Sequence, residues 1–134
     1  MRRPPRAFLD TNVVLYALDP TDQDKQSVAR QLCMSERIRV SPQVALEASR
    51  NLVAKFGYAK HEVGPALNFL LPLMHPVGPA TIEHAWALMS RYDLSIWDAA
   101  IVASALAARC TVLYSEDFQH GQAFEGARVV NPFI

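Results

Sequence analysis

Four carboxylates are the residues in this sequence best suited to chemistry, three of them at predicted strand ends or helix starts and one within a predicted helix. They are Asp10, Glu47, Asp98 and Asp117. Carboxylates within about 4–6 Å of one another raise each other's pKa, so such a cluster is stable mainly when it binds divalent cations. Hard oxygen ligands without cysteine or histidine nearby indicate Mg²⁺ or Mn²⁺ rather than zinc.

Asp10 and Asp117 occupy matching positions, each directly after a short apolar run that predicts a strand. Acids in such places could also be a helix N-cap at Asp10 and a turn or cap residue at Asp117. Glu116 is an alternative ligand to Asp117, although the alternation of side chains along a strand would direct it elsewhere.

Asp98 is the only ionisable residue between Ile96 and Ala108. A helix that is apolar on every side is expected to be buried, and a buried carboxylate must be paired, metal-bound or neutralised. The alternative is a capping box formed by Ser95 and Asp98, because an acid in the first turn also complements the helix dipole.

Glu47 lies in a predicted amphipathic helix. Gln43, Glu47 and Asn51 form a polar stripe beside an apolar face, which contains Val44, Ala45, Ala48, Leu52 and Phe56. A solvated helix face explains Glu47 at least as well as a ligand role does, so its spacing alone does not select it.

The elements that must position these acids alternate along the chain. Strands are predicted at residues 6–9, 37–40, 74–77, 111–114 and 128–130, and helices at 13–18, 22–35, 42–56, 60–71, 80–92 and 95–109. Strands separated by helices indicate an α/β fold, here a single domain over residues 1–134 with a mostly parallel sheet of four or five strands and helices on both faces. In such sheets ligands bind beyond the carboxyl ends of the strands.

Charge and cysteine usage narrow the function classes. Thirteen basic and thirteen acidic residues cancel, so nucleic-acid binding would need local patches. Arg50 and Lys55 are better placed for this than Arg2, Arg3 and Arg6, which flank the amino end of the first strand. Cys33 and Cys110 lack ligand spacing and indicate buried thiols in a reducing compartment. With neither a signal peptide nor a membrane span, we expect a cytoplasmic protein.

Four segments together resemble the PIN-domain nucleases, and within them the VapC-type toxins of bacterial toxin–antitoxin pairs. They are Leu9-Asp10-Thr11-Asn12, the helical Glu47, Leu94-Ser95-Ile96-Trp97-Asp98-Ala99 and Leu113-Tyr114-Ser115-Glu116-Asp117-Phe118. The resemblance spans nearly the whole chain and implies a three-layer α/β/α sandwich. It also implies a metal-dependent endoribonuclease that leaves 5′-phosphate and 3′-hydroxyl ends.

The resemblance further assigns roles to residues and partners. Asp10, Glu47, Asp98 and Asp117 would hold Mg²⁺ or Mn²⁺. Asn12 would support Asp10, and Ser115 would be a supporting residue where the family more often has threonine. The implied partners are an RNA substrate, an antitoxin whose carboxyl-terminal segment blocks the acid pocket, and a second copy of the chain, for which residues 44–71 supply apolar surface.

Three other hypotheses remain open at this stage. One is a metal nuclease of the same fold that acts in RNA processing or on DNA without a toxin role. Another is a catalytically inert phosphate- or partner-binding module whose acids are caps and turns. A receiver-type phosphotransfer domain is weaker, because it would want paired acids after the first strand and a late lysine, whereas no lysine follows Lys60.

Overall fold

A computed structural model describes residues 5–134 of the chain. Within them the strands are β1 (Ala7–Leu9), β2 (Ile38–Arg39), β3 (Val112–Tyr114), β4 (Ala123–Phe124) and β5 (Ala127–Val130). The helices are α1 (Thr11–Leu18), α2 (Gln23–Cys33), α3 (Pro42–Ala54), α4 (Lys60–Leu67), α5 (Pro79–Tyr92) and α6 (Ile96–Ala107). A 3-10 helix, Asn68–Leu73, follows α4.

The five strands form one sheet in the order β2-β1-β3-β5-β4. All neighbouring pairs are parallel except β4 with β5, which form an antiparallel hairpin. Helices cover both faces, so the predicted α/β class and the mostly parallel sheet are confirmed. The central strand β1 is buried along its whole length, as expected for a parallel strand covered by helices on both sides.

The helices that carry the acids begin at the carboxyl edge of the sheet. Asp10 caps α1 directly after β1. Ser41 caps α3 two residues after β2, and Pro42 occupies the first turn, where its missing N–H has no consequence. Ser95 caps α6, which returns to the start of β3. Because each helix crosses the sheet in the opposite direction to its strands, the helix starts gather at one edge.

The predicted strand at residues 74–77 is wrong. Only a single parallel bridge joins Val40 to Met74, because Pro76 offers no N–H to extend the pairing. The predicted helix over residues 60–71 ends as an α-helix at Leu67 and tightens into 3-10 geometry, since Pro65 and Pro72 each remove an N–H from the helical ladder.

The hairpin strand β4 was missed by the sequence analysis, which treated the stretch before Gly126 as turns. Its two residues are too short to show an alternating pattern. The connection to β5 passes through Glu125, which adopts a left-handed conformation with φ of 52°. Phe124 on β4 is fully buried, so this hairpin closes one end of the core.

The core lies between the sheet and its helices. Its largest fully buried side chains include Phe8, Leu9, Leu52, Leu113 and Phe124. Both cysteines are free thiols, and burial raises the pKa of each to about 11. None of the helices in residues 5–134 has the length and apolar character needed to cross a lipid bilayer.

Candidate active site

Asp10 and Ser115 meet at the carboxyl edge because their strands are adjacent and in register. Leu9 pairs with Tyr114, and the Asp10 N–H continues the ladder by donating to the Tyr114 carbonyl at 3.0 Å. The Asp10 carboxylate accepts the Thr11 N–H at 2.8 Å through one oxygen and the Ser115 hydroxyl at 2.6 Å through the other. Asp10 is therefore both a helix cap and one end of a buried side-chain contact.

The pKa of Asp10 is raised from 3.8 to about 6. Burial is the main cause, since only 6% of the residue is exposed and desolvation disfavours the charged form. The hydrogen bonds from Ser115 and Thr11 oppose this shift, whereas the charges of Asp117 and Glu47 add to it. A carboxylate held in this way is stabilised by any cation that approaches it.

Ser115 connects Asp10 to Asp117. Its hydroxyl oxygen is fully buried, donates to Asp10 and accepts the Asp117 N–H at 3.0 Å. Asp117 is more exposed than Asp10. Its pKa is nevertheless raised, first by partial desolvation and then by the charges of Asp98 and Glu116.

The Asn12 side chain lies beside Asp117 and lowers the pKa of the Asp117 carboxyl. Neither polar atom of the buried Asn12 amide has a hydrogen bond of good geometry, and the Thr11 hydroxyl oxygen is also without a partner. Such orphaned groups are costly unless something completes them. The structure therefore places Asn12 against Asp117, whereas the resemblance made it a support for Asp10.

The expectation that Asp98 is buried is wrong. Asp98 is half-buried, and the neighbouring Trp97 is 68% exposed, because the first turn of α6 emerges at the edge of the sheet. Ser95 accepts the Asp98 backbone N–H at 3.1 Å, so the backbone of Asp98 makes the cap contact. The charge of its carboxylate acts on Asp117. Asp98 therefore belongs with Asp10, Glu47 and Asp117 to the cluster that is called the acid group below.

Glu47 reaches the site from the second turn of α3. Val44, Ala48 and Leu52 are buried on the apolar face next to this polar stripe, as the periodicity of the helix predicts. The Gln43 amide donates to the Glu47 carboxylate at 2.7 Å, and the charge of Glu47 contributes to the raised pKa of Asp10. The geometry thus brings Glu47 towards the other three acids.

Glu116 points away from them. Its carboxylate binds the Lys25 ammonium at 2.7 Å, and that ammonium also donates to the Tyr16 hydroxyl at 3.2 Å. The same ammonium lies 4.6 Å from the centre of the Tyr16 ring and 5.3 Å from that of Phe133. Glu116 is therefore directed elsewhere, as predicted, although it lies in a bend after β3 and not in the strand itself.

The polar groups at this edge of the sheet have the chemistry of a divalent-cation site. The donors are hard oxygens, two of the acids have raised pKa values, and the Asn12 amide is an orphaned polar group. No three Asp, Glu, His or Cys side chains in residues 5–134 are close enough to enclose an ion. The arrangement fits Mg²⁺, which keeps several waters and takes only one or two carboxylates from the protein.

Two clefts lie along the polar stripe of α3. One, of about 220 Å³, is lined by Asn12, Asp19, Asn51 and Lys55 among others. The other, of about 430 Å³, contains Gln43 and Trp97 together with Glu47 itself. The smaller cleft therefore offers charged and polar side chains, and the larger one an aromatic side chain next to an acid.

The sequence alone did not single out Lys25 or Trp97, and it did not reveal the contact between Gln43 and Glu47. The spacing of Gln43 and Glu47, one helical turn apart, was a usable signal for their hydrogen bond. Lys25 carried no such signal, because its partner Glu116 lies 91 residues away.

An α/β fold with an acidic carboxyl edge defines the class of this protein, and sequence comparison gives the family. The PIN domain family model matches residues 7–123. The chain belongs to the PIN domain family. No curated protein sequence matches it significantly.

Solved structures with the same fold include chains from toxin–antitoxin systems. A chain of a toxin–antitoxin complex from Klebsiella pneumoniae superposes with a TM-score of 0.72 at 21% identity, covering 94% of this chain and 97% of that one. VapC20 from Mycobacterium tuberculosis gives 0.66 at 21% identity, with 83% and 89% covered. FitAcB from Neisseria gonorrhoeae gives 0.69 at 19% identity, with 95% and 98% covered.

Proposed function

We propose that this protein is a single-domain, Mg²⁺- or Mn²⁺-dependent endoribonuclease and the toxin of a toxin–antitoxin pair. The observation that carries the proposal is the meeting of acids at one sheet edge, where the Ser115 hydroxyl joins Asp10 to Asp117. The charge of Glu47 acts on Asp10 there and that of Asp98 on Asp117. Membership of the PIN domain family supports it, since PIN domains are nucleases. The M. tuberculosis relative is described as a toxin that cleaves the sarcin–ricin loop.

The proposed chemistry is phosphodiester hydrolysis by in-line attack. A divalent cation, when bound, would supply a water of lowered pKa and neutralise charge that builds on the scissile phosphate. Asp10 and Asp117 would hold it, and the Ser115 hydroxyl, which donates to Asp10 and accepts the Asp117 N–H, keeps these two acids together. Asp98 and Glu47 complete the negative field from the two helices, and the products are a 5′-phosphate and a 3′-hydroxyl.

The acids do not act as nucleophiles in this scheme. Asp10 is occupied by two hydrogen bonds, and Glu47 accepts the Gln43 amide. Asn12 adjoins Asp117 with unused donor and acceptor atoms, which suits a hydrogen bond to a water of the ion or to substrate. In this scheme each of these residues would bind or orient the cation, a water molecule or the substrate.

We also propose an antitoxin and a second copy of this chain as protein partners. Similar folds occur in toxin–antitoxin complexes. For self-association, α3 and α4 border an apolar cleft of about 490 Å³ that includes Val63, Leu71 and Met74, and Leu71 is 66% exposed. We place the protein in the cytoplasm, where its two free thiols would stay reduced.

Replacement of Asp98 by asparagine tests the enzymatic proposal. Asp98→Asn keeps the backbone N–H that binds Ser95, so α6 retains its cap. We expect RNA cleavage in Mg²⁺ to fall at least about 100-fold, since even residues that only support metal ligands contribute 10–100-fold. The readout is mapping of new 5′ ends in cellular RNA incubated with each purified variant.

Glu83→Gln is the matched control, because Glu83 is an exposed acid within α5, remote from the acid group in sequence. Cleavage by Asp98→Asn at the parent rate would rule out the four-acid mechanism. Cleavage without growth arrest on induced expression would favour a processing nuclease over a toxin.

A further inference from the structure

The larger cleft beside Glu47 is an apolar groove between α3, α5 and α6, referred to here as the indole groove. Its walls include Leu46, Ile82, Trp86 and Trp97. No Lys, Arg or His is among the described residues that line it. It therefore offers aromatic and aliphatic surface but no cation for a phosphate.

Both tryptophans of the chain lie in this groove. Trp97 is 68% exposed and Trp86 is 61% exposed. Single exposed apolar residues are ordinary, but a contiguous apolar patch of this kind usually marks a binding site. The fold does not use these indoles for its core, since neither is buried.

The indole groove is continuous with the acid group. Glu47 lines the groove and also acts on Asp10. The Gln43 amide donates to the Glu47 carboxylate at 2.7 Å and to the Trp97 carbonyl at 3.2 Å, which ties the start of α6 to α3. Trp97 directly precedes Asp98, so the groove begins where the acids end.

The opposite flank has different chemistry. There the smaller cleft is lined by Lys55 and Asp19 together with Asn12 and Asn51, polar groups that suit a ribose, with the Lys55 ammonium for a phosphate. A strand whose scissile phosphate lies over the acids must place its next nucleotide on one flank or the other. Because the indole groove lacks cations, it suits the base of that nucleotide, and aromatic side chains are the usual platforms for unpaired bases.

We infer that the indole groove is a base-binding subsite, in which an unpaired nucleobase adjacent to the scissile phosphate stacks on Trp97. This inference rests on the proposed function and adds to it a contact that would position the substrate beside the acids. An apolar polypeptide is the rival occupant. Continuity with Glu47 and Asp98 favours the nucleotide.

Intrinsic fluorescence isolates the groove because the chain has only two tryptophans. Trp86→Phe leaves Trp97 as the sole emitter, and Trp97→Phe leaves Trp86. The probe is a single-stranded oligoadenylate of about ten nucleotides, added in EDTA so that no cleavage occurs. We expect it to quench Trp97 emission, whereas an abasic ribose-phosphate strand of equal length and charge does not.

Side-chain replacement separates stacking from simple apolar contact. Trp97→Leu keeps apolar bulk but removes the π face, and we expect it to weaken oligoadenylate binding and raise the KM for cleavage about 5- to 100-fold. Trp97→Phe should lose less. Both leave the Trp97 carbonyl bond to Gln43 intact. Met34→Ala, at an 83% exposed apolar position outside the groove, should match the parent.

Three outcomes would overturn the inference. They are equal quenching by the abasic strand, parent-like binding by Trp97→Leu, and quenching of Trp97 by an amphipathic helical peptide but not by oligoadenylate. Failure of the proposed function is seen separately, as parent-rate cleavage by Asp98→Asn. Normal cleavage by the Trp97 variants together with an inactive Asp98→Asn would reject the subsite and retain the nuclease.

Discussion

At the residue scale, Asp10 combines a structural role with a chemical one. It caps α1 and accepts the Ser115 hydroxyl, yet its burial makes the charged form unfavourable. A cap would be equally well served by asparagine. The helix therefore does not require a carboxylate here, whereas the proposed cation site would.

The pH dependence of unfolding tests this interpretation of Asp10. Its pKa is about 6 in the folded protein against an ordinary 3.8, a difference equivalent to about 3 kcal/mol. That stability is present below pH 3.8 and is lost as pH rises through about 6, because the folded state then gives up a proton it had bound more tightly. In EDTA at pH 7, we expect Asp10→Asn to unfold at a higher temperature than the parent.

Thermal melts at pH 4 and pH 7, with and without Mg²⁺, provide the measurement. Mg²⁺ should stabilise the parent at pH 7 and leave Asp10→Asn nearly unchanged, while Glu83→Gln should behave as the parent. A destabilised Asp10→Asn whose deficit is the same at both pH values would assign Asp10 to capping alone.

At the element scale, the segment after β3 is held by contacts from three directions. Ser115 binds Asp10 after β1, Glu116 binds Lys25 on α2, and Asp117 adjoins Asn12 on α1. The chain bends over residues 116–118, and the Asp117 N–H donates to the Ser115 hydroxyl. This bend lets one short stretch place an acid in the site while its neighbour is anchored outside it.

Loss of the Lys25 anchor should affect activity more than stability. The Lys25–Glu116 pair is partly exposed, so Lys25→Met should change the unfolding free energy little. Freed from its partner, Glu116 leaves Asp117 less well oriented, and we expect kcat/KM to fall about tenfold. Steady-state cleavage and thermal melts on the same preparations would measure both effects.

Lys25→Arg should retain most of the activity, because a guanidinium also pairs with a carboxylate. Lys60→Met, which removes an exposed lysine at the start of α4, serves as the matched control. Equal activity of Lys25→Met and the parent would show that the backbone alone positions Asp117.

At the scale of the whole molecule, zero net charge limits how RNA can be bound. Without a global field, affinity depends on a few local cations and on stacking. Lys55 lines the smaller cleft, and Arg50 is exposed on the same helix. Arg6 instead donates to the Ala108 carbonyl at 3.0 Å at the amino edge of the sheet, and Arg2 and Arg3 lie outside the described residues.

The salt dependence of binding should therefore be shallow. Each phosphate contact to a single strand contributes a slope of about −0.7 in a plot of log affinity against log salt concentration. We expect Lys55→Gln to reduce the slope for a single-stranded RNA by about 0.7, measured in EDTA by fluorescence anisotropy. Arg109→Gln, which removes an exposed cation just after α6, should leave it unchanged; an equal loss would indicate diffuse attraction.

Apart from the wrong strand at residues 74–77 and the missed β4, the sequence by itself determined the order of elements, the parallel sheet and the edge at which Asp10 and Asp117 lie. Strand ends and helix caps are local properties, so the positions of Asp10 and Asp117 could be predicted from their neighbours along the chain. Glu47 could not be selected in this way, because a polar helix face has the same pattern whether it meets solvent or a site.

Only the tertiary structure decided which side chains meet. Apolar composition predicted a buried Asp98, but the position of the α6 start in the fold exposes it. The Ser115 contact to Asp10 joins residues 105 apart, and Lys25 reaches Glu116 across 91. Such contacts depend on how strands and helices pack, which periodicity does not encode. Asp10 and Asp117 are thus local predictions, and they become part of a candidate site only when the sheet and its helices bring them together with Asp98 and Glu47.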